Sequence, residues 1–180
     1  FITNRTLLKT STDSLKQLAQ KILQKITEIW PAVSGNDILE IQFDCDWTPS
    51  TQQLYFQLLN HLAKAKPNNC QLSATIRLHQ IKYADQTGTP PVDRGMLMFY
   101  NMDDLESLET KNSILDLEVA KQYLNDDSDY DLPLDIVLPI FRWGVLFRNN
   151  KMIKLINNLN ASDLTDEERF EKTENNQYTV

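Results

Sequence analysis

The chain has 180 residues, 41% of them hydrophobic and 24% charged, with a formal net charge of −7 from 18 basic and 25 acidic side chains. That is enough apolar material for one domain or a piece of a larger one, and it excludes wholesale disorder. Basic runs never exceed two or three residues, which argues against a nucleic-acid-binding face, and no apolar run approaches 18 residues, which argues against a membrane-inserted helix.

In chain order, residues 1–8 read as a short apolar-rich strand that starts in its middle, so the chain reads as an internal stretch cut at both ends. Residues 11–30 form a helix: Asp13 or Ser14 can cap it, and Leu15, Leu18, Ile22, Leu23, Ile26 and Ile29 recur at helical spacing. Pro31 and Ser34-Gly35-Asn36 end it. A strand follows over 38–47, then Thr48-Pro49-Ser50 opens a second helix whose buried stripe is Leu54, Leu58, Leu59 and Leu62. After the turn at Pro67-Asn68-Asn69 come a strand over 71–80, a long polar loop through Gly88 and Pro91, and a strand over 94–100. A helix over 115–124, an acidic loop over 126–131 and a strand over 134–141 complete the alternation. Residues 152–159 and 163–170 read as short helices, and a polar, frayed tail begins at Lys172, which makes 1–171 the folded domain and 172–180 the tail.

Strands alternating with helices predict an α/β fold with a parallel sheet. An open nucleotide-binding sheet should carry a glycine-rich first turn, and this chain has four glycines in all and no such motif. The expectation is therefore a partial TIM (β/α)8 barrel of about five parallel strands with helices outside. A complete barrel takes eight strands and about 250 residues. Cys45 and Cys70 read as buried free thiols or as a disulfide between neighbouring strands.

Chemistry in such a barrel gathers at the carboxyl ends of the strands. Those ends supply Asp44, Asp46, Trp47 and Thr48, then Arg77, His79 and Gln80, then Tyr100 and Asn101, then Arg142 and Trp143. Polar and apolar residues alternate strictly from Glu40 to Thr48, so Glu40, Gln42, Asp44, Asp46 and Thr48 share one strand face, expected to point into the barrel. Crowded carboxylates are costly unless paired. They form either an ion-pair network with Arg77 or a functional row near the mouth in which at least one carboxyl has a raised pKa, the condition a general acid needs near neutral pH. His79 should face the same way as Arg77, as a hydrogen-bonded structural side chain or a substrate contact. Trp47, Tyr100 and Trp143, at or just past strand ends, either pack the barrel or offer flat apolar faces on which a ligand can stack. No further His or Cys stands at ligand spacing, so neither a transition metal nor another cofactor is expected.

Asp44-Cys45-Asp46-Trp47-Thr48 resembles the fourth-strand motif of chitinase-type glycoside hydrolases, D-x-x-D-x-D-x-E. Met98-Phe99-Tyr100-Asn101 resembles their sixth-strand M-x-Y-D, and Leu138-Pro139-Ile140-Phe141 their seventh-strand segment, all three in the family's order. The stretches 42–48, 72–77 and 94–102 also resemble an uncharacterised bacterial family of glycosidase-like barrels. The resemblance implies a carbohydrate-active protein of the cell envelope or secreted space, acting on an oligosaccharide or polysaccharide. It assigns Asp46, Asp44 and Tyr100 to catalysis, and as the acid Asp46 should be largely buried. Substrate contact falls to Trp47, Thr48, Arg77, His79, Asn101, Arg142 and Trp143. In one register Thr48 stands at the acid position; in another, two residues back, Asp46 does. With Thr48 there, the chain would be a glycan-binding or scaffolding barrel that has lost its acid.

Overall fold

The computed structural model describes residues 1–33, 37–124, 130–173 and 177–179. In chain order the elements are α1 (Asn4–Lys9), a 3-10 turn (Thr12–Ser14), α2 (Leu15–Val33), β1 (Glu40–Phe43), α3 (Gln52–Ala65), β2 (Gln71–Arg77), α4 (Leu78–Lys82), α5 (Ala84–Thr87) and β3 (Arg94–Met98). There follow α6 (Leu117–Lys121), β4 (Leu134–Val137), β5 (Trp143–Arg148), β6 (Lys151–Asn157), a 3-10 turn (Ala161–Leu164), β7 (Glu171–Lys172) and β8 (Tyr178–Thr179). The chain divides into two compact units, one of Phe1–Met98 with Tyr123–Ile136 and one of Phe99–Gln122 with Val137–Val180. The proposed helix stop at Ser34-Gly35-Asn36 and most of the acidic loop, residues 126–129, lie outside the described residues.

The first unit is built on the expected parallel sheet, in the order β1-β2-β3-β4. Glu40 pairs with Gln71 through Phe43 with Ala74, and Ser73 with Arg94 through Arg77 with Met98, all parallel. Gly95 N donates to Pro133 O and Phe99 N to Val137 O, both at bond lengths of 2.8–3.0 Å, so β4 advances in step with β3. The strands follow one another in space as in sequence, and parallel neighbours require a connection that returns to the same end of the sheet, which helical segments supply between successive strands. One sheet face carries Ile41, Phe43, Leu72, Ala74, Ile76 and Leu97, all buried. The core of this unit also takes Leu15, Ala19 and Leu23 of α2 and Tyr55, Leu58, Leu59 and Leu62 of α3. The 3.6-residue period of each helix and the two-residue period of each strand thus supply one apolar layer each.

Several expectations are corrected. Residues 1–8 are not a strand: Thr3 accepts a hydrogen bond from Thr6 N at 3.1 Å and caps α1, while only Ile2 pairs in extended fashion, N–H to Asp44 O at 2.8 Å. A threonine at that position satisfies an orphan helix donor, which tips a short apolar segment toward helix. The parallel sheet therefore has four strands among the described residues, not five. α2 runs through Pro31 to Val33, since a proline in the last turn removes a single donor. Residues 152–159 are no helix; 152–157 belong to β6, which pairs antiparallel with β5. The connection Asn149-Asn150 holds both residues at positive φ, 52° and 59°, the mirror-image two-residue turn that suits a tight hairpin. Residues 163–170 form a 3-10 turn and irregular turns rather than a helix, and the tail is not wholly frayed, because β7 pairs with β8. Both cysteines are buried free thiols. No helix among the described residues is long and apolar enough to cross a membrane.

Candidate functional site

The carboxyl ends of β1 and β2 bring four polar side chains together. Beyond Phe43 the chain stays extended, and the alternation persists: Cys45 and Trp47 are buried, while Asp46 and Thr48 are exposed. Asp44 is half-buried and its Oδ1 accepts from the Thr75 hydroxyl at 2.6 Å. Asp46 Oδ1 stands 2.8 Å from Arg77 Nε. Thr75 and Arg77 lie two apart on β2, as Asp44 and Asp46 do on the continuation of β1, so two acids meet a donor and a cation across neighbouring strands. Ser73 and Gln42, paired in register, carry the polar face toward the strand beginnings, where Gln42 Nε2 approaches Met96 Sδ at 3.4 Å.

The expected burial of Asp46 is not found: its side chain keeps 56% of its accessible surface. The polar face of the sheet is open at that edge in this chain, and the ion pair with Arg77 compensates the charge. Between the two acids, burial foremost and then the charges of Asp44 and Asp46 push the Cys45 thiol up to about 12. A buried thiol held protonated is a poor nucleophile.

The backbone of this strand end is clamped from the N-terminal segment. Asn4 Nδ2 donates to Asp46 O at 2.6 Å, the Thr51 hydroxyl donates to Asn4 Oδ1 at 2.6 Å, and Thr48 N donates to Thr51 Oγ1 at 2.9 Å. Thr51 is fully buried. Trp47 is a core residue rather than an exposed stacking surface. It is 4% exposed, its Nε1 donates to Thr87 O at 2.8 Å, and its ring lies 5.5 Å from that of Tyr55 and 5.6 Å from that of Phe56. Thr48 serves the entrance to α3, where its carbonyl accepts from Thr51 N and Gln52 N and its hydroxyl meets Ser50 and Thr51.

His79 is not at a strand end. β2 stops at Arg77 because Gln80 Oε1 accepts from Arg77 N at 2.8 Å and starts α4 there, so Arg77 and His79 no longer share a strand face. Leu78 and Ile81, both buried three residues apart, were the helical signal inside the stretch read as strand. His79 is exposed.

The remaining candidates belong to the second unit. Tyr100 and Trp143 flank Phe141: the Tyr100–Phe141 ring centroids are 5.6 Å apart at 89°, the Phe141–Trp143 centroids 5.0 Å apart at 35°. Trp143 Nε1 donates to the buried Ser113 hydroxyl at 3.2 Å, which fixes the indole. Asn101 sits in the left-handed region at φ 56°, with its N–H on Ile114 O, so an asparagine here meets a backbone demand as well as any chemical one. Arg142 is exposed and its carbonyl accepts from Asn158 N. Thr75, Asn4 and Thr51 escaped the sequence reading. Thr75 was detectable by the two-residue period from Arg77; the other two were not, because Asn4 is 42 residues from Asp46. Among the described residues no group of His, Cys, Asp and Glu is placed to hold a metal ion.

No family model matches the chain, and no curated protein matches it. Among solved structures, the crystal structure of the Bacillus cereus spore cortex-lytic enzyme SleL is similar, with a TM-score of 0.51 and 16% sequence identity over 98% of this chain and 44% of that one. The chain thus spans less than half the length of that enzyme, and what the two share is the fold: a mixed α/β architecture on a parallel sheet.

Proposed function

We propose that this chain is part of a carbohydrate-active (β/α) barrel that hydrolyses a glycosidic bond, with Asp46 as proton donor and Asp44 as the neighbouring acid that tunes it. One observation carries this reading. The acidic row on β1 ends beside Thr75 and Arg77 at the carboxyl ends of two adjacent parallel strands, which is where such folds keep their chemistry. The motif resemblance and the likeness in fold to an enzyme named for lysing the spore cortex support it. Closure of the sheet by further strands would enclose the polar face and desolvate Asp46, the condition a proton donor needs near neutral pH. As the resemblance implies, the sugar's own N-acetyl group would attack, so no protein nucleophile is required. In the second unit the Tyr100–Phe141–Trp143 group offers a surface for the C–H face of a sugar ring.

A second reading, a glycan-binding barrel without catalysis, is favoured by Thr48 at the acid position of one register and by the half-exposed Asp46 held on Arg77. The test uses the intact protein and a panel of N-acetylated glycans. On the enzymatic reading Asp46→Asn lowers kcat by about a hundredfold or more while affinity is kept. On the binding reading the wild type hydrolyses nothing and Asp46→Asn alters affinity alone. Equal turnover by wild type and variant removes Asp46 from the acid role.

A further inference from the structure

The β5–β6 hairpin segregates charge in a way the candidate site does not use. From Ile136 to Ser162 the chain contains no acidic residue, although its net charge is −7. The four cations of that stretch are Arg142, Arg148, Lys151 and Lys154. Pairing of Arg148 with Lys151 and of Leu146 with Lys154 puts Leu146, Arg148, Lys151 and Lys154 on one face of the hairpin, with Ile156 opposite Gly144 on the same side. At the base of this face the Leu159 side chain lies against Gly144, so closely that a β-carbon there would push its end aside. Outward from it the face is open. Arg148, Lys151 and Lys154 are exposed, Leu146 and Ile156 keep 37% of their surface, and Ile153, at the register shift beside Lys154, keeps 55%. Among the described residues no carboxylate pairs with any of the three cations. The opposite face, with Trp143, Val145, Phe147, Met152 and Leu155, is half-buried.

We propose that this hairpin face docks on an anionic lipid surface. Three unpaired cations interleaved with exposed aliphatic side chains match a bilayer interface, where headgroup phosphates meet the cations and the acyl boundary accepts the aliphatics. A nucleic acid or a polysaccharide would be better served by aromatic rings among the cations, and the hairpin's aromatics are on the other face. The contact is peripheral: a two-stranded hairpin has open edges and cannot span a bilayer.

The experiment is co-sedimentation of the intact protein with vesicles of phosphatidylglycerol and phosphatidylcholine in equal parts, against vesicles of phosphatidylcholine alone, at low ionic strength. The wild type should sediment with the anionic vesicles, stay in solution with the neutral ones, and be released as salt is raised. Each cation removed should lower partitioning about fivefold, so Arg148→Gln/Lys151→Gln/Lys154→Gln should lower it about a hundredfold. Lys9→Gln/Lys16→Gln/Lys21→Gln, with the same charge change on the exposed sides of α1 and α2, should leave it unchanged. Far-ultraviolet circular dichroism checks the fold, and if the triple variant is unfolded the single Lys154→Gln, with its fivefold loss, decides. Equal binding to neutral vesicles, or equal binding by the hairpin variant and wild type, overturns the proposal. So does capture by polygalacturonate or duplex DNA with no partitioning to vesicles.

Discussion

Replacing Thr51 by valine tests whether the carboxyl end of β1 is held by the clamp described above. The substitution keeps the shape of the side chain and deletes one oxygen. That oxygen donates to Asn4 Oδ1 at 2.6 Å and accepts from Thr48 N at 2.9 Å, and Asn4 in turn donates to Asp46 O. Thr51 is fully buried, so water cannot take the vacated position, while Asn4 is half-buried and recovers only part of its solvation. The Thr48 hydroxyl, which also meets this oxygen, keeps Ser50 as a partner, so the two bonds to Asn4 and to Thr48 N, at about 1 kcal/mol each with incomplete rehydration of the orphaned partners, set the loss at about 2 kcal/mol. For a chain of this size that is roughly 4–8 °C in Tm. Thr51→Ser keeps the oxygen and removes a methyl group, at about 1 kcal/mol. Urea unfolding followed by circular dichroism measures both variants, and amide exchange at Thr48 reports the lost acceptor directly. Valine as stable as serine, with unchanged exchange at Thr48, would refute the clamp.

Two further outcomes follow from the core. Gly95→Ala would put a β-carbon 2.7 Å from Leu134 Cδ2 and 2.8 Å from Ile76 Cγ1; Ile76 is fully buried in mid-strand and cannot yield, so the urea midpoint should fall by an amount worth about 1–3 kcal/mol. Cys45, pushed up to about 12 mainly by burial, stays protonated in the folded state when the unfolded thiol has ionised above its ordinary 9.0. The folded state then binds more protons, so stability falls as pH rises from about 9 to about 12, and Cys45→Ala should flatten that fall in a pH series of urea midpoints.

Strict alternation from Glu40 to Thr48 was legible because a strand has a period of two whatever it packs against, and the structure keeps Cys45 and Trp47 in and Asp46 and Thr48 out. For the same reason the order and direction of the four parallel strands could be read from the succession of strands and helices. The pairing of Asp46 with Arg77 was open to the same reasoning, since both stand at strand ends. Short segments defeated it. Residues 1–8 and 152–159 are apolar enough for either regular structure, and what decided them was a single cap at Thr3 and a two-asparagine turn at positive φ. Propensity over so few residues is worth less than one such local bond.

Composition, strand alternation and helical stripes thus determined the class of this protein, its parallel sheet and the acidic row at the end of β1, because periodicity and burial act locally and leave their mark on neighbouring residues. Only the tertiary structure decided that Trp47 is core, that Asp46 is half-exposed on Arg77, that Asn4 and Thr51 hold the strand end, and that three cations share one hairpin face. Each of those depends on residues brought together from distant parts of the chain or on a register set by a turn, and the free energy of such contacts is defined only once the chain has closed on itself.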